Sequence, residues 1–360
     1  MLYNELKKRG LPQLKSREEM KEIIQRDLFG YMPTLDYTLS ASEPKIIEGR
    51  YNEGNSNLSK VDITITIDGK SHTFPICRLF HLDGKKRPLI IVNNFHRMTE
   101  SIYFPIEELS EYDVDYIQVC YKDITSDDGD FSTGIAPLLL PNGQDSDVTC
   151  GKIGLWAWTA SRILDYALTL DNVDKDNVMI AGHSRLGKTA LFTAMCDERF
   201  KYAFSNAAGC AGDALCRGNS GFSRGEDKFK TGELICDIYG TFPYWFCKNY
   251  SRFTKTNIPD TFDQHYLLAS ICPRYVLIGS CDLDEWADPK SQQLCALASS
   301  KAWENANMCG LVGANSKFLQ PNESSLDGHV GYFIIHSKHF LSRHSWHNAL
   351  AFIEKHRNEK

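Results

Sequence analysis

"NVMIAGHSRLGKTAL", residues 177–191, decides how the rest of the chain is read. Val178, Met179 and Ile180 form a short unbroken apolar run, the texture of a strand buried on both faces. From Arg185 onward the apolar residues Leu186, Ala190 and Leu191 fall at helical spacing. Only Ala181, Gly182, His183 and Ser184 stand between, which leaves no room for a loop. A strand that turns directly into a helix through Gly-x-Ser lifts the serine hydroxyl above the sheet edge, where the amides of the new helix face any anion formed beside it. The usual second glycine of that turn is replaced by Leu186, and Gly187 follows one residue late. Two readings stand at this point: Ser184 as a nucleophile, or Ser184 as an ordinary helix N-cap.

The same texture recurs on either side. "PLIIVNNF", "YDVDYIQVCY", "YAFSNAAG", "RYVLIGS" and "GYFIIHS" are short continuous apolar runs, and "GLWAWTASRILDYALTL", "SRLGKTALFTAMCDERF" and "SWHNALAFIEKH" have helical spacing. Strands alternating with helices predict a parallel sheet covered on both faces. Before them, Val61, Ile63, Ile65 and Ile67 alternate with polar residues up to Asp68-Gly69, the pattern of an antiparallel hairpin. Earlier still, Ser16 and Glu19 have capping-box spacing at the head of "SREEMKEIIQRDLFGYMP". The expected architecture is an α/β-hydrolase three-layer sandwich with an N-terminal antiparallel extension, one domain over 1–360 in which residues 1–50 act as a brace. Two long polar loops, "DITSDDGDFSTG" (123–134) and "RGNSGFSRGEDKFKTGE" (217–233), are of a length that is more often functional than idle.

Composition removes several function classes. Across 360 residues the formal charge is -6 and the basic residues are scattered, so there is no electrostatic footprint for nucleic acid. No apolar run is long enough for a membrane span. The polar start "MLYNELKKRG" has no signal-peptide core, so the chain as written reads as cytoplasmic, and as secreted if a leader was removed. A monomer is expected. The twelve cysteines lie far apart, without a C-x-x-C pair, and are expected to be reduced residues of the core. No metal or organic cofactor is implied.

A serine hydrolase of this fold should present Ser, acid and His in that chain order. The loop "CDLDEWADP" carries Asp282, Asp284, Glu285 and Asp288, of which Asp288 is placed to cap a helix starting near Pro289. Beyond it, "GYFIIHSKHFLSRHSWH" offers His336, His339, His344 and His347; the last two open the final helix, and His339 follows the final strand after a short turn. Arg185 and Lys188 sit in the first turn of the helix after Ser184, where the dipole is already positive. Two cations there suggest an anionic or polyhydroxylated target, against the alternatives of a surface ion pair and a helix-face charge.

"GHSRLGK" (182–188) resembles the G-[C/H]-S-R-x-G-K signature of the glucuronoyl esterases, carbohydrate esterase family 15, which have the α/β-hydrolase fold. "DYALTL", "DERFKYAFSNAAGCAGDAL", "FPYWFC", "FDQHYLLASICPRYVLIGS", "DLDEWADP" and "HVGYFIIHSKH" agree in the same order, over roughly residues 20 to 356. The resemblance implies Ser184 as nucleophile, His339 as base and Arg185 as oxyanion stabiliser. It selects Asp284 as the acid, two residues before Trp286. The glutamate that fungal members use instead falls on Ala207. Lys188, Glu226 and Trp286 match positions that contact the sugar. The implied substrates are esters of glucuronic acid or its 4-O-methyl form, on glucuronoxylan oligosaccharides. Two further readings are an esterase acting on acetylated sugars and a catalytically weak carbohydrate-binding relative.

Overall fold

The computed structural model describes residues 2–47, 56–100, 103–219 and 232–359. Alternating side chains organise the antiparallel start. Strands β1 (Thr38–Ala41), β2 (Lys45–Ile46), β3 (Ser56–Ile67) and β4 (Lys70–His81) come first, and β3 pairs with β4 from Ser56↔His81 to Ile67↔Lys70. The predicted Asp68-Gly69 turn closes this hairpin with φ of 48° and 76°, the positive values of a type I′ turn that matches strand twist. Val61, Ile63, Ile65 and Ile67 point into the core.

The apolar runs become β5 (Arg87–Asn94), β6 (Asp115–Cys120), β7 (Val173–His183), β8 (Tyr202–Asn206), β9 (Tyr275–Cys281), β10 (Ser324–Ser325) and β11 (Val330–Ile335). One sheet runs β1-β3-β4-β6-β5-β7-β8-β9-β11-β10, with β2 on β3. From β6 to β11 all neighbours are parallel. Why these runs are continuous rather than alternating is visible in the packing. Leu89, Ile91, Val178 and Ile180 enter one core with the helices Lys152–Ala167 and Arg185–Cys196, while Ile90, Val92, Met179 and Ala181 enter a second core with the helix Arg343–His356. A strand with both faces covered needs apolar residues at every position.

The capping box at Ser16 and Glu19 forms as expected and starts the helix Arg17–Ile24. The segment ahead of it is pinned to a distant stretch: His265 Nε2 lies 3.0 Å from the Pro12 carbonyl, and Arg17 Nε donates to the Ser270 carbonyl at 2.9 Å. The helix Leu2–Lys8 and strands β1, β2 and β10 are additions to the sequence reading; they are short and largely polar, with no periodicity to announce them.

Among the described residues no helix is long and apolar enough to cross a membrane. All twelve cysteines are free. β7, β9 and β11 end at the same edge of the parallel half, so the chain segments that follow them meet above the sheet, where open α/β folds place their sites.

Candidate active site

Ser184 occupies the turn between β7 and the helix Arg185–Cys196 with φ 57° and ψ -126°. A non-glycine residue there is strained, and its side chain makes no capping hydrogen bond. That disfavours the N-cap reading, because a capping serine sits in the extended region and bonds the first turn. The bend is enforced by its neighbours. A Cβ on Gly182 would run into the Leu186 carbonyl, and one on Gly187 would stand 2.9 Å from Ser205 Oγ. Gly187 therefore keeps the new helix close to β8, and fully buried Leu186 anchors it in the core. At the first helical position the Arg185 amide has no acceptor in the helix ladder, so it is open to an anion beside Ser184.

Asp284 is held in the loop after β9, where its Oδ1 accepts from the Ala287 amide at 3.2 Å. Its Oδ2 lies 2.6 Å from His339 Nδ1, and its side chain is only 3% exposed. His336 forms a second pair with Asp282 at 2.8 Å, but that histidine is 62% exposed and neither partner reaches the pocket. Ser184, Asp284 and His339 line one pocket of about 380 Å³, with Ala207 on its wall. No carboxylate stands at Ala207. Asp288 caps the helix Pro289–Ser299, as its position suggested.

The two cations of the first turn have different fates. Lys188 is buried and its ammonium donates to the Ala208 carbonyl; desolvation lowers its pKa. Arg185 is ion-paired with Asp127, so the anion that offsets it against the helix dipole belongs to the loop 123–134. The sequence reading did not identify this partner. Glu226 lies outside the described residues. Among the described residues, Glu233 at the end of the same polar loop lines the pocket together with Lys188, Trp286 and Asp284. Burial pushes its pKa up to about 7, against the lowering effect of Lys188 and of a hydrogen bond with Trp286. Both shifts point the same way: desolvation outweighs attraction between the two charges, and no ion pair within 4 Å joins them among the described residues. Ile238, Phe242 and Trp245 form the pocket's apolar wall. No cluster of three His, Cys, Asp or Glu side chains able to hold a metal occurs among the described residues.

His183, beside the nucleophile, packs its ring 4.5 Å from that of His339. Its Nδ1 lies 2.9 Å from Asn206 Nδ2 and 3.1 Å from the Asn206 carbonyl, and that amide nitrogen donates to the Phe340 carbonyl at 2.9 Å. Burial and the neighbouring His339 lower its pKa to about 3. An ordinary histidine takes up its proton near pH 6.5, so between there and pH 3 the unfolded chain binds a proton that the folded one refuses. Stability contributed by this neutral ring is present above pH 6.5 and is lost as pH falls, by at most about 1.4 kcal/mol per pH unit. His183→Gln is expected to flatten urea-denaturation stability against pH across this window relative to wild type. Identical slopes would show that His183 does not carry this acid sensitivity.

Comparison with known proteins agrees with this architecture. A family model described as glucuronyl esterase of fungi matches residues 63–307. A carbohydrate esterase of an unknown prokaryotic organism is 32% identical over 206 residues, 57% of this chain and 44% of that protein. A 4-O-methyl-glucuronoyl methylesterase of Hypocrea jecorina is 26% identical over 53% of this chain and 42% of its own length. The matches thus span less than half of these two relatives. The solved glucuronoyl esterase of Solibacter usitatus superposes with a TM-score of 0.82 at 26% identity, covering 95% of this chain and 92% of that one.

Proposed function

Since the chain belongs to the glucuronyl esterase family, we propose that it hydrolyses esters of glucuronic acid or 4-O-methylglucuronic acid through an acyl-enzyme on Ser184. The observation that carries this reading is that a strained serine and an Asp284–His339 pair open onto the same pocket as buried Lys188 and Glu233.

Asp284 accepts from His339 Nδ1–H, which leaves Nε2 free to take the serine proton. Ser184 Oγ attacks the ester carbonyl, and the oxyanion is met by the Arg185 amide and guanidinium. As the tetrahedral intermediate collapses, His339 returns the proton to the departing alcohol; water then repeats the cycle on the acyl-enzyme. The sugar lies toward Lys188 and Glu233, whose polar atoms suit vicinal hydroxyls, with the half-exposed Trp286 indole against the ring face. At neutral pH Glu233 is present in both protonation states, so it can donate to a hydroxyl or accept from one.

The test is acid release from benzyl glucuronate, with p-nitrophenyl acetate as the comparison ester. Lys188→Met removes a charged hydrogen-bond donor that, of the two esters, only the glucuronate can use. It is expected to lower kcat/KM on the glucuronate about 10-fold to 100-fold and to leave the acetate within about 3-fold, the range of a lost packing contact. Turnover of acetate alone by the wild type would discard the uronate assignment. Silence on both esters with folded protein would replace the esterase reading by the carbohydrate-binding one.

A further inference from the structure

Arg185 is packed among three aromatic rings and one carboxylate. Its guanidinium carbon lies 4.5 Å from the centre of the Trp245 ring, 5.2 Å from that of Phe242 and 5.5 Å from that of Phe95, and its charge is met by Asp127. Asp127 is itself fixed. Its Oδ1 accepts from Trp245 Nε1 at 2.7 Å, its Oδ2 from the Tyr121 hydroxyl at 2.9 Å, and its backbone carbonyl from the Tyr244 hydroxyl at 3.0 Å. The carboxylate is 7% exposed. Its loop is anchored from below by Lys152, fully buried, which donates to Thr125 Oγ1 at 2.9 Å and to the Asp130 carbonyl at 2.6 Å.

A carboxylate with this many directed donors has one orientation, and so does the arginine it holds. An unrestrained arginine carries about 2 kcal/mol of side-chain entropy, which would be lost at the moment the oxyanion formed. Here that ordering is complete beforehand. Arg185 Nε is buried and has no acceptor among the described residues, a donor left over by the arrangement. We infer that Asp127 is a positioning residue, which through its ion pair presents Arg185 to the oxyanion of the tetrahedral intermediate. The inference rests on the oxyanion role given to Arg185 above. Because that acceptor carries its full charge only in the transition state, loss of Asp127 should appear in kcat and not in KM.

The experiment is a double-mutant cycle on benzyl glucuronate with Asp127→Asn, Arg185→Ala and the pair. Asp127→Asn keeps the side-chain volume and is expected to lower kcat about 10-fold to 100-fold, somewhat less than loss of an oxyanion donor itself, with KM within about 2-fold. In the Arg185→Ala background the same change should have almost no further effect on kcat. Unchanged kcat in Asp127→Asn, or an effect that multiplies in full with that of Arg185→Ala, overturns the inference. If Arg185→Ala leaves kcat intact, it is the oxyanion role of Arg185 that fails, and the positioning role goes with it. Should Asp127→Asn not fold, Tyr121→Phe, which keeps the ring and removes only the hydroxyl donor to Asp127 Oδ2, carries the test: a fall in kcat alone is expected, and an unchanged kcat overturns the inference.

Discussion

Replacing Ser184 by glycine is expected to abolish ester turnover and to raise the melting temperature. The two effects come from one residue because the turn that exposes the hydroxyl is also the turn that strains the backbone. At φ 57° and ψ -126°, a side chain costs about 1–3 kcal/mol that glycine does not. Glycine gives back about 0.5–1 kcal/mol through the greater freedom of the unfolded chain. The net gain of about 1 kcal/mol corresponds to roughly 2 °C in a domain of this size. Turnover should fall by about 10⁶-fold, the scale for loss of a serine nucleophile. Ser184→Ala is the companion variant: it should lose activity equally and gain no stability, because its Cβ keeps the strain. Melting scans of the three proteins, beside their rates on benzyl glucuronate, check both halves. A glycine variant that melts no higher than the alanine variant would mean that the turn stores no strain, and residual turnover near wild type would mean that another group attacks the ester.

The same turn explains which parts of the site could be read in advance. Gly182 and Gly187 were visible because close backbone approach excludes every other residue, and that requirement is local to the chain. Chain order narrowed the acid and the base to the segments after β9 and β11, and the family resemblance picked Asp284 and His339 within them, although Asp282 and His336 form a second Asp–His pair nearby. Exposure separates the two pairs, and exposure is a tertiary property. Asp127 had no such signal: it is one acid in a loop with four, and only the packing of residues 123–134 against Trp245 brings it to Arg185. Glu233 was hidden for the same reason. Within a long polar loop, nothing in the sequence marks Glu233 as a residue that shares a pocket with Lys188. The strands followed from their continuous apolar texture, whereas β1, β2 and β10 pair through backbone groups at the sheet margin and leave almost no imprint on side-chain choice.

Asp284→Asn is expected to lower kcat by about 10⁴-fold while the fold and KM hold. The substitution is nearly isosteric at a side chain only 3% exposed, so packing around His339 should survive. What changes is the proton on the imidazole. The carboxylate can only accept, which places the hydrogen on Nδ1 and leaves Nε2 basic toward Ser184. An asparagine amide in the same place can donate to Nδ1 instead, which moves the hydrogen to Nε2 and removes the base. It also removes the charge that stabilises the imidazolium formed during attack. Two nearby positions offer no substitute: the wall position Ala207 has no carboxylate, and Asp282 is committed to His336 and the Ser337 amide. Asp282→Asn therefore serves as the control, with kcat expected to stay within about 3-fold, the usual range for a change away from the chemistry. A fall of less than about 10-fold in Asp284→Asn would assign the imidazole's orientation to some other group. Equal losses in the two variants would instead point to the loop's conformation, since both aspartates belong to the loop after β9.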